Sequence, residues 1–290
     1  PTLPDTYGAS APKGNYADLH TDGFELSLTY NDAFNLAGKP LHYNLKATLA
    51  DSRAWIDKYY NPTGNINDYY AGEEIGDLWG FVVTGIFQTQ EEIDNFYGPG
   101  LPYVNNKFKT SVDGATVPGD IIIQDLNGNQ IIDFGSETLS DPGDKRIIGN
   151  TRPRYIYSFN LGFDWNGFFA SAFFQGVGRR HWYPSAECNI WGPFNRPYNQ
   201  IPKWIIGNYW TEDNRDAWLP RLAGYHRAFY SGYENSRYLF NAAYLRFKNL
   251  QIGYNLPKAW VKKAQMSEVS IYLSGENLYT WSPVYRRTRD

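Results

Sequence analysis

The sequence predicts an all-β fold: an antiparallel transmembrane β-barrel portion of about six strands from a larger barrel, with two long extracellular loops. Three observations predict it. Several strand-length segments alternate apolar and polar side chains, tight connections alternate with very long ones, and aromatic residues make up 18% of the chain. Because side chains point to opposite faces along a strand, alternation gives one apolar and one polar face. A wall between lipid and a water-filled lumen needs that pattern, with short turns on the periplasmic side and long loops outside. Soluble sandwiches also alternate, so the connection lengths carry more weight than any one strand.

The first predicted strand, 22–32, sets Phe24, Leu26, Leu28 and Tyr30 against Glu25, Ser27 and Thr29. The second, 41–52, sets Leu41, Tyr43, Leu45, Ala47 and Leu49 against His42, Asn44, Lys46 and Thr48. A short connection at Asn35-Leu-Ala-Gly38 joins them. The third, 154–165, opposes Phe159, Leu161, Phe163 and Trp165 to Ser158, Asn160, Gly162 and Asp164. Asn166-Gly167, a strong hairpin signal, leads into the fourth, 168–177. The fifth, 238–255, starts with Leu245 and Phe247 against Arg246 and Lys248, but then places Leu250, Ile252 and Tyr254 on the charged side. Either a bulge near Asn249 or an exit from the membrane accounts for the phase change. Leu256-Pro257-Lys258 and a helix-like stretch from Trp260 to Gln265 lead to the sixth, 268–280, where Val269, Ile271 and Leu273 oppose Ser270, Tyr272 and Ser274. Segments 53–153 and 178–237 are the long loops, and the three tight turns share the opposite side. Loops beyond about 12–15 residues are uncommon unless functional.

Composition sets further bounds. The 24 Tyr and 10 Trp suit membrane interfaces and sugar-binding surfaces, since both side chains join an apolar body to a polar tip. A net charge of −3 supplies no basic footprint for nucleic acid. Cys188 has no partner for an intrachain disulfide. No apolar run reaches the roughly 18 residues of a transmembrane helix, whereas a barrel strand needs only about 9–11. The start, Pro1-Thr-Leu-Pro4, lacks the pattern of a signal peptide. Open sheet edges are not tolerated in lipid, so the remainder of the same barrel is an expected partner and the chain is expected to be part of something longer.

Together these residues resemble a known family. Thr21-Asp-Gly-Phe-Glu-Leu-Ser-Leu28, Gly85-Ile-Phe-Gln88, Gly119-Asp-Ile-Ile-Ile-Gln-Asp-Leu-Asn-Gly128 and Ile148-Gly-Asn150 are similar to segments of the SusC/RagA family of TonB-dependent outer-membrane transporters. So are Phe173-Phe-Gln-Gly176, Tyr209-Trp-Thr211, Tyr244-Leu-Arg-Phe-Lys-Asn-Leu250 and Gly275-Glu-Asn-Leu278. The resemblance covers nearly the whole chain, keeps the motif order and points to the C-terminal part of the barrel. It implies that residues 1–290 belong to a single barrel domain of about 22 strands, with the plug domain and the last strands lacking counterparts here. It also implies a SusD-like lipoprotein lid, energy from TonB, and an oligosaccharide or in some members a peptide as cargo, with no catalysis. The competing class is a soluble β-rich carbohydrate-binding or glycan-degrading protein, which would cover both strand faces.

Two constellations could carry function. Asp125-Leu-Asn127-Gly-Asn129-Gln-Ile131-Ile-Asp133 spaces oxygen donors as an EF-hand-like loop does, and a structural calcium is the expectation. Asp125, Asn127 and Asn129 would ligate through side chains, Ile131 through its carbonyl, and Asp133 directly or through water. Gln130 stands where Gly makes the sharp turn, and the distal carboxylate would come from Glu137, Asp141 or Asp144. The alternative is an Asx-rich turn without an ion. In the second long loop, Trp182, Trp191, Trp204, Trp210 and Trp218, with Arg215 beside them, are the candidate cargo-binding residues, because sugar rings lie on aromatic faces. Their alternative role is to pack the loop's own core or to meet the lid. Enzyme readings fail on spacing: the four His residues form no zinc pair or triad pattern, and Glu73-Glu74 and Glu91-Glu92 are adjacent acids rather than a pair flanking a bond.

Overall fold

The structure is a computed structural model and describes residues 17–97, 116–129, 132–185, 190, 200–222, 233–263 and 265–285. Among the described residues, twelve strands run in chain order as β1 (Asp18–Leu36), β2 (Lys39–Lys58), β3 (Asp77–Phe81), β4 (Val83–Ile86), β5 (Ile121–Ile123) and β6 (Lys145–Asn150), then β7 (Arg154–Trp165), β8 (Phe168–Arg179), β9 (His181–Trp182), β10 (Phe240–Asn241), β11 (Tyr244–Asn255) and β12 (Ser270–Trp281). Two short helices, α1 (Gln90–Tyr97) and α2 (Lys258–Lys263), complete the regular elements used below.

One antiparallel sheet of six strands, ordered β1-β2-β7-β8-β11-β12, forms a wall. These are the six expected strands, paired as three hairpins laid side by side. Two of the hairpins close on two-residue turns. Ala37 and Gly38 have φ of 50° and 76°, and Asn166 and Gly167 have 52° and 88°. Positive φ at both positions matches the right-handed strand twist, and glycine at the second position takes it without strain. The first hairpin runs further than 22–32 and 41–52, because polar and aromatic residues continue the ladder up to the pair Asp18 and Lys58. His20 stacks on Trp55 at 5.2 Å between centroids, which supports this extension.

The registers align the apolar residues of all six strands in continuous rows. From the end with the long connections, one row is Leu26, Leu49, Tyr157, Gly176, Leu245 and Trp281, and the next is Leu28, Ala47, Phe159, Phe174, Phe247 and Tyr279. Tyr30, Leu45, Leu161, Ala172, Leu250 and Gly275 form the third. The fourth, Asp32, Tyr43, Phe163, Ala170, Ile252 and Leu273, carries one acid, whose Oδ2 accepts from the Tyr30 and Tyr43 hydroxyls at 2.9 and 3.3 Å, and the last row is Phe34, Leu41, Trp165, Phe168, Tyr254 and Ile271, beside the tight turns. Phe159, Phe174 and Phe247 stack across three strands, with centroids 4.6 and 4.5 Å apart. In the first row Tyr157 folds its ring over Gly176, where an added Cβ would lie 2.3 Å from the ring. The opposite face carries Ser27, Thr48, Ser158, Gln175, Arg246 and Thr280 in one row, with a Thr48–Ser158 hydroxyl contact of 2.7 Å and Arg246 Nε donating to Thr280 Oγ1 at 3.1 Å.

The rows stay continuous because of a bulge, which decides between the two readings of the fifth strand. Phe247 pairs with Phe174, and Asn249, two residues on, pairs with Phe173; Lys248 is therefore extra. On the other side Phe247 pairs with Tyr279 and Asn249 with Glu276, so β12 carries its own extra residue at the same level. Asn277, at φ 50°, takes the left-handed conformation there, and Lys248 Nζ donates to its Oδ1 at 3.1 Å. The bulge returns Leu250, Ile252 and Tyr254 to the apolar face. Residues 238–255 are also not one strand: Phe240–Asn241 pairs with β9 apart from the wall.

The connections 59–153 and 180–243 leave the same end of the sheet and fold together. β3 pairs with β6 and β4 with β5, and Phe81 of the first connection bridges Asn235 of the second. Phe81 N–H donates to Glu234 O at 2.9 Å, and Ser236 N–H donates to Phe81 O at 2.9 Å. The buried core of the chain lies here, with Phe81, Ile86, Ile121, Ile123, Phe134, Ile205, Leu219, Tyr238 and Phe240 from both connections. The wall has its apolar face uncovered, and Leu28, Leu161, Phe163, Ile252 and Leu273 are all exposed.

Candidate functional site

The two connections form a cap at one end of the wall, built from buried polar pairs as much as from apolar packing. Asp120 is fully buried; its Oδ1 accepts from Arg221 Nε at 2.8 Å, and its Oδ2 from Val117 N–H at 3.0 Å. Asn235 is buried as well, donating to the Tyr183 hydroxyl at 2.8 Å while its Oδ1 accepts from Tyr238 N–H. Burial pushes the Tyr183 phenol well up, so this hydroxyl stays protonated. His181 Nδ1 accepts from Asn150 N–H at 3.1 Å, and burial, then the Arg179 charge, lowers its pKa toward the neutral ring. α1 starts with Thr89 Oγ1 accepting from Glu92 N–H, while Glu92 Oε2 accepts from Gln88 N–H. Thr89 thus caps the helix, and Glu92 reaches back to the N–H one residue before the cap, a variant of the capping box.

The predicted aromatics divide by role. Trp210 is buried and donates Nε1–H to Gln88 Oε1 at 3.0 Å. Trp218 packs edge-on against Tyr238 and Phe240 at 5.3 and 5.5 Å, and Trp204 lies 6.0 Å from Trp218. Trp182 tilts against Phe240 yet stays 37% exposed. Arg215 is exposed, with Nε donating to Glu212 O at 3.2 Å. Trp191 lies outside the described residues. The structure thus turns Trp210 and Trp218 inward and leaves Trp182 and Arg215 facing out. Sequence reasoning overlooked a second aromatic surface: Tyr60 and Tyr69 are exposed, and Tyr59 packs edge-on to Tyr69 at 5.6 Å. Asn61 holds this loop by donating to Asn65 O and Tyr69 O and accepting from Asn65 N–H. The alternation of β2, followed beyond residue 52 to Trp55, would have indicated it.

On either side of residues 130–131, which lie outside the described residues, side-chain oxygens of the expected calcium loop accept backbone N–H groups. Asp125 Oδ1 accepts from Gly128 N–H at 2.6 Å, Asn127 Oδ1 from Asn129 N–H at 3.0 Å, and Asp133 Oδ1 from Gly135 N–H at 2.7 Å. Buried Asp144 accepts from Leu126 N–H and Asp133 N–H at 2.7 and 2.8 Å. Burial raises the pKa of Asp144, with the charges of Asp125 and Asp133 adding to the effect. Ile131 lies outside the described residues, and among the described ones no three His, Cys, Asp or Glu side chains are grouped to hold a metal ion.

A sheet apolar on one face, polar on the other, and capped at one end only is a portion of an outer-membrane β-barrel wall. The similarities of the chain agree. It is 26% identical over 97% of its length to TonB-dependent receptor P3 of Formosa agariphila, and 25% and 24% identical, each over 97%, to receptors P26 and P39 of the same bacterium. It spans only 26% of the length of P3 and P26 and 28% of P39. Its fold matches that of the RagAB peptide transporter with a TM-score of 0.63 at 18% identity, covering 97% of this chain and 27% of that one. The open-open state of the RagAB peptide importer gives 0.59 at 20%, covering 97% and 27%. No family profile matches the chain. The chain is thus similar in sequence to a portion of TonB-dependent receptors, and it has the fold of an outer-membrane β-barrel wall like that of the RagAB transporter. Its relatives are receptors and importers rather than enzymes.

Proposed function

We propose that the chain supplies part of the barrel wall and extracellular cap of a TonB-dependent importer that takes up a nutrient, with an oligosaccharide as cargo and a SusD-like lipoprotein as lid. The carrying observation is the wall itself: continuous apolar rows on one face, a polar face behind them, and both long connections gathered over the same end. A soluble sugar-binding protein would cover that apolar face. TonB would act through a part of the receptor beyond this chain. Cargo contact is proposed at the outward-facing Trp182 and Arg215 and at the half-buried Trp204, because aromatic planes and hydrogen-bond donors on the surface of the cap suit a sugar ring. Peptide cargo is the competing proposal, motivated by the similarity to the RagAB peptide transporter.

The test uses the full-length receptor purified in detergent, alone and with a SusD-like lipoprotein. Titrations with neutral oligosaccharides and with peptides of matched size should show oligosaccharide binding that Trp182→Ala weakens about tenfold, the scale of one lost stacking contact with its hydrogen bonds. Binding of peptides alone would replace the cargo assignment. Recovery of the protein in the aqueous fraction without detergent would defeat the importer reading. A calcium ion in the Asp125–Asp133 loop remains a separate proposal, supported by the spacing of its oxygens. Titration calorimetry should show a calcium-specific heat that Asp125→Ala abolishes, and a flat trace would leave the loop an Asx turn.

A further inference from the structure

Beyond the cap, the structure holds a charged cavity at the rim of the wall that the importer reading does not use. It has a volume of about 420 Å³ and is lined by Arg53, Arg152, Arg154 and Arg179, with Glu74, Asp77, Asn150 and Tyr155 between them. Two of the arginines are engaged. Arg53 forms a bidentate pair with Glu74, its Nε donating to Oε1 at 3.0 Å. Arg154 donates through Nε and Nη2 to the two Asp51 oxygens, both at 2.5 Å. Among the described residues no ion pair is recorded for Arg152 or Arg179, and both are exposed. Four guanidinium groups therefore face two lining carboxylates, with Asp51 behind as a third.

The height and facing of this cavity narrow what it could bind. Arg53 continues the series Leu45, Ala47, Leu49 and Asp51 on the apolar, lipid-facing side of β2, whereas Arg154 and Arg179 lie opposite each other on the row that continues Ile156–Val177 and Ser158–Gln175, the polar side. Arg53 lies four residues beyond Leu49 in the top apolar row, about 13 Å along the strand. The apolar rows from Leu26 to Phe34 extend about 27 Å along the strand, or about 20 Å along the membrane normal at the usual tilt. The cavity thus opens just above the hydrocarbon, where charged headgroups lie. Arginine forks match phosphate and carboxylate oxygens, while Tyr155 (42% exposed), Asn150 and Glu74 offer a ring plane and hydroxyl partners.

We propose that this cavity is a binding site for an anionic saccharide, a sugar bearing phosphate or carboxylate groups. Two sources present that chemistry at this height: a phosphorylated glycolipid of the outer leaflet, or an acidic sugar approaching as cargo. Arg53 stands on the lipid side of the rim and Arg154 and Arg179 on the polar side, so the two arms of the experiment separate the sources.

The experiment uses the full-length receptor in nanodiscs. Retention of a bis-phosphorylated glycolipid and of its dephosphorylated form is read by native mass spectrometry, and a soluble oligogalacturonate is titrated separately. R152Q/R179Q should reduce binding of the phosphorylated glycolipid, of the oligogalacturonate or of both about tenfold or more, the effect of losing two charge-assisted contacts, while the dephosphorylated lipid is unchanged. Both residues are exposed and form no ion pair among the described residues, so the variant should keep the heat-modifiable migration of the folded barrel. The wild-type protein gives an independent check, because retention should fall steeply with ionic strength. Loss of oligogalacturonate affinity with unchanged glycolipid retention would assign the site to cargo. Unchanged values for both ligands, or retention insensitive to salt, would overturn the proposal. Neutral-oligosaccharide binding by the same variant reports on the importer reading separately, so the two can fail independently.

Discussion

Substituting neighbouring residues of β11 tests the bulge that makes the apolar rows continuous. Leu250 lies in the middle row with Tyr30, Leu45, Leu161, Ala172 and Gly275, and Gln251 pairs with Ser171 and Ser274 on the polar face. An arginine on the lipid face costs about 2–4 kcal/mol at the bilayer midplane and about 0–1 near the interface, whereas a lumen position tolerates charge. Leu250→Arg should therefore lower stability by about 2–4 kcal/mol, a roughly thirty- to thousandfold shift in the folded ratio, and Gln251→Arg by less than about 1. The assay is urea unfolding of the full-length receptor in detergent or bilayers, with the folded fraction read from heat-modifiable migration. Strict alternation from Leu245 and Phe247 reverses the assignment, placing Gln251 in lipid and Leu250 in the lumen. If Gln251→Arg proved as costly as Leu250→Arg, or more so, the bulge and the rows built on it would be wrong.

Three further outcomes are expected. Arg221→Met leaves the fully buried Asp120 carboxylate without its guanidinium and should destabilise the cap by about 3–5 kcal/mol, seen as earlier loss of amide protection in β4 and β5 while the wall stays protected. Gly176→Val sets a branched side chain against the Tyr157 ring and should cost about 1–3 kcal/mol in the same unfolding assay, with part of the loss recovered by adding Tyr157→Ala. Asp77 has its carboxyl raised by burial, opposed by the Asn150 hydrogen bond and reinforced by the Glu74 charge. A raised folded-state value means that the folded cap holds the proton more tightly. Its contribution is then present below the ordinary aspartate range and lost as pH rises through the raised value. Asp77→Asn should flatten that acid-range dependence of amide exchange in β3 and β6, and an unchanged profile would show that Asp77 ionises freely in the folded cap.

What could be read from the residues follows from the range of the interactions involved. Hairpins are local: Asn166-Gly167 declares its turn, and alternation in 24–30, 41–49 and 158–165 declares its faces. Strand ends were less legible. β1 and β2 outrun the expected limits because pairs such as His20 with Trp55 form only when both strands are already in register. The tryptophans of the second long connection were visible as a cluster, but their division was not. Trp210 turns inward because Gln88, 122 residues earlier in the chain, accepts its indole proton.

By itself the sequence determined an all-β wall of about six strands, two of its tight turns and the faces of the strands that alternate without interruption, because alternation and turn chemistry act over a few residues. Tertiary structure decided the rest. The paired bulges at Lys248 and Asn277 hold the apolar rows in phase, the two distant connections share one buried core, and four arginines from three segments meet at one rim. Each of these depends on residues far apart in sequence, whose meeting is set by strand register and packing rather than by any local pattern.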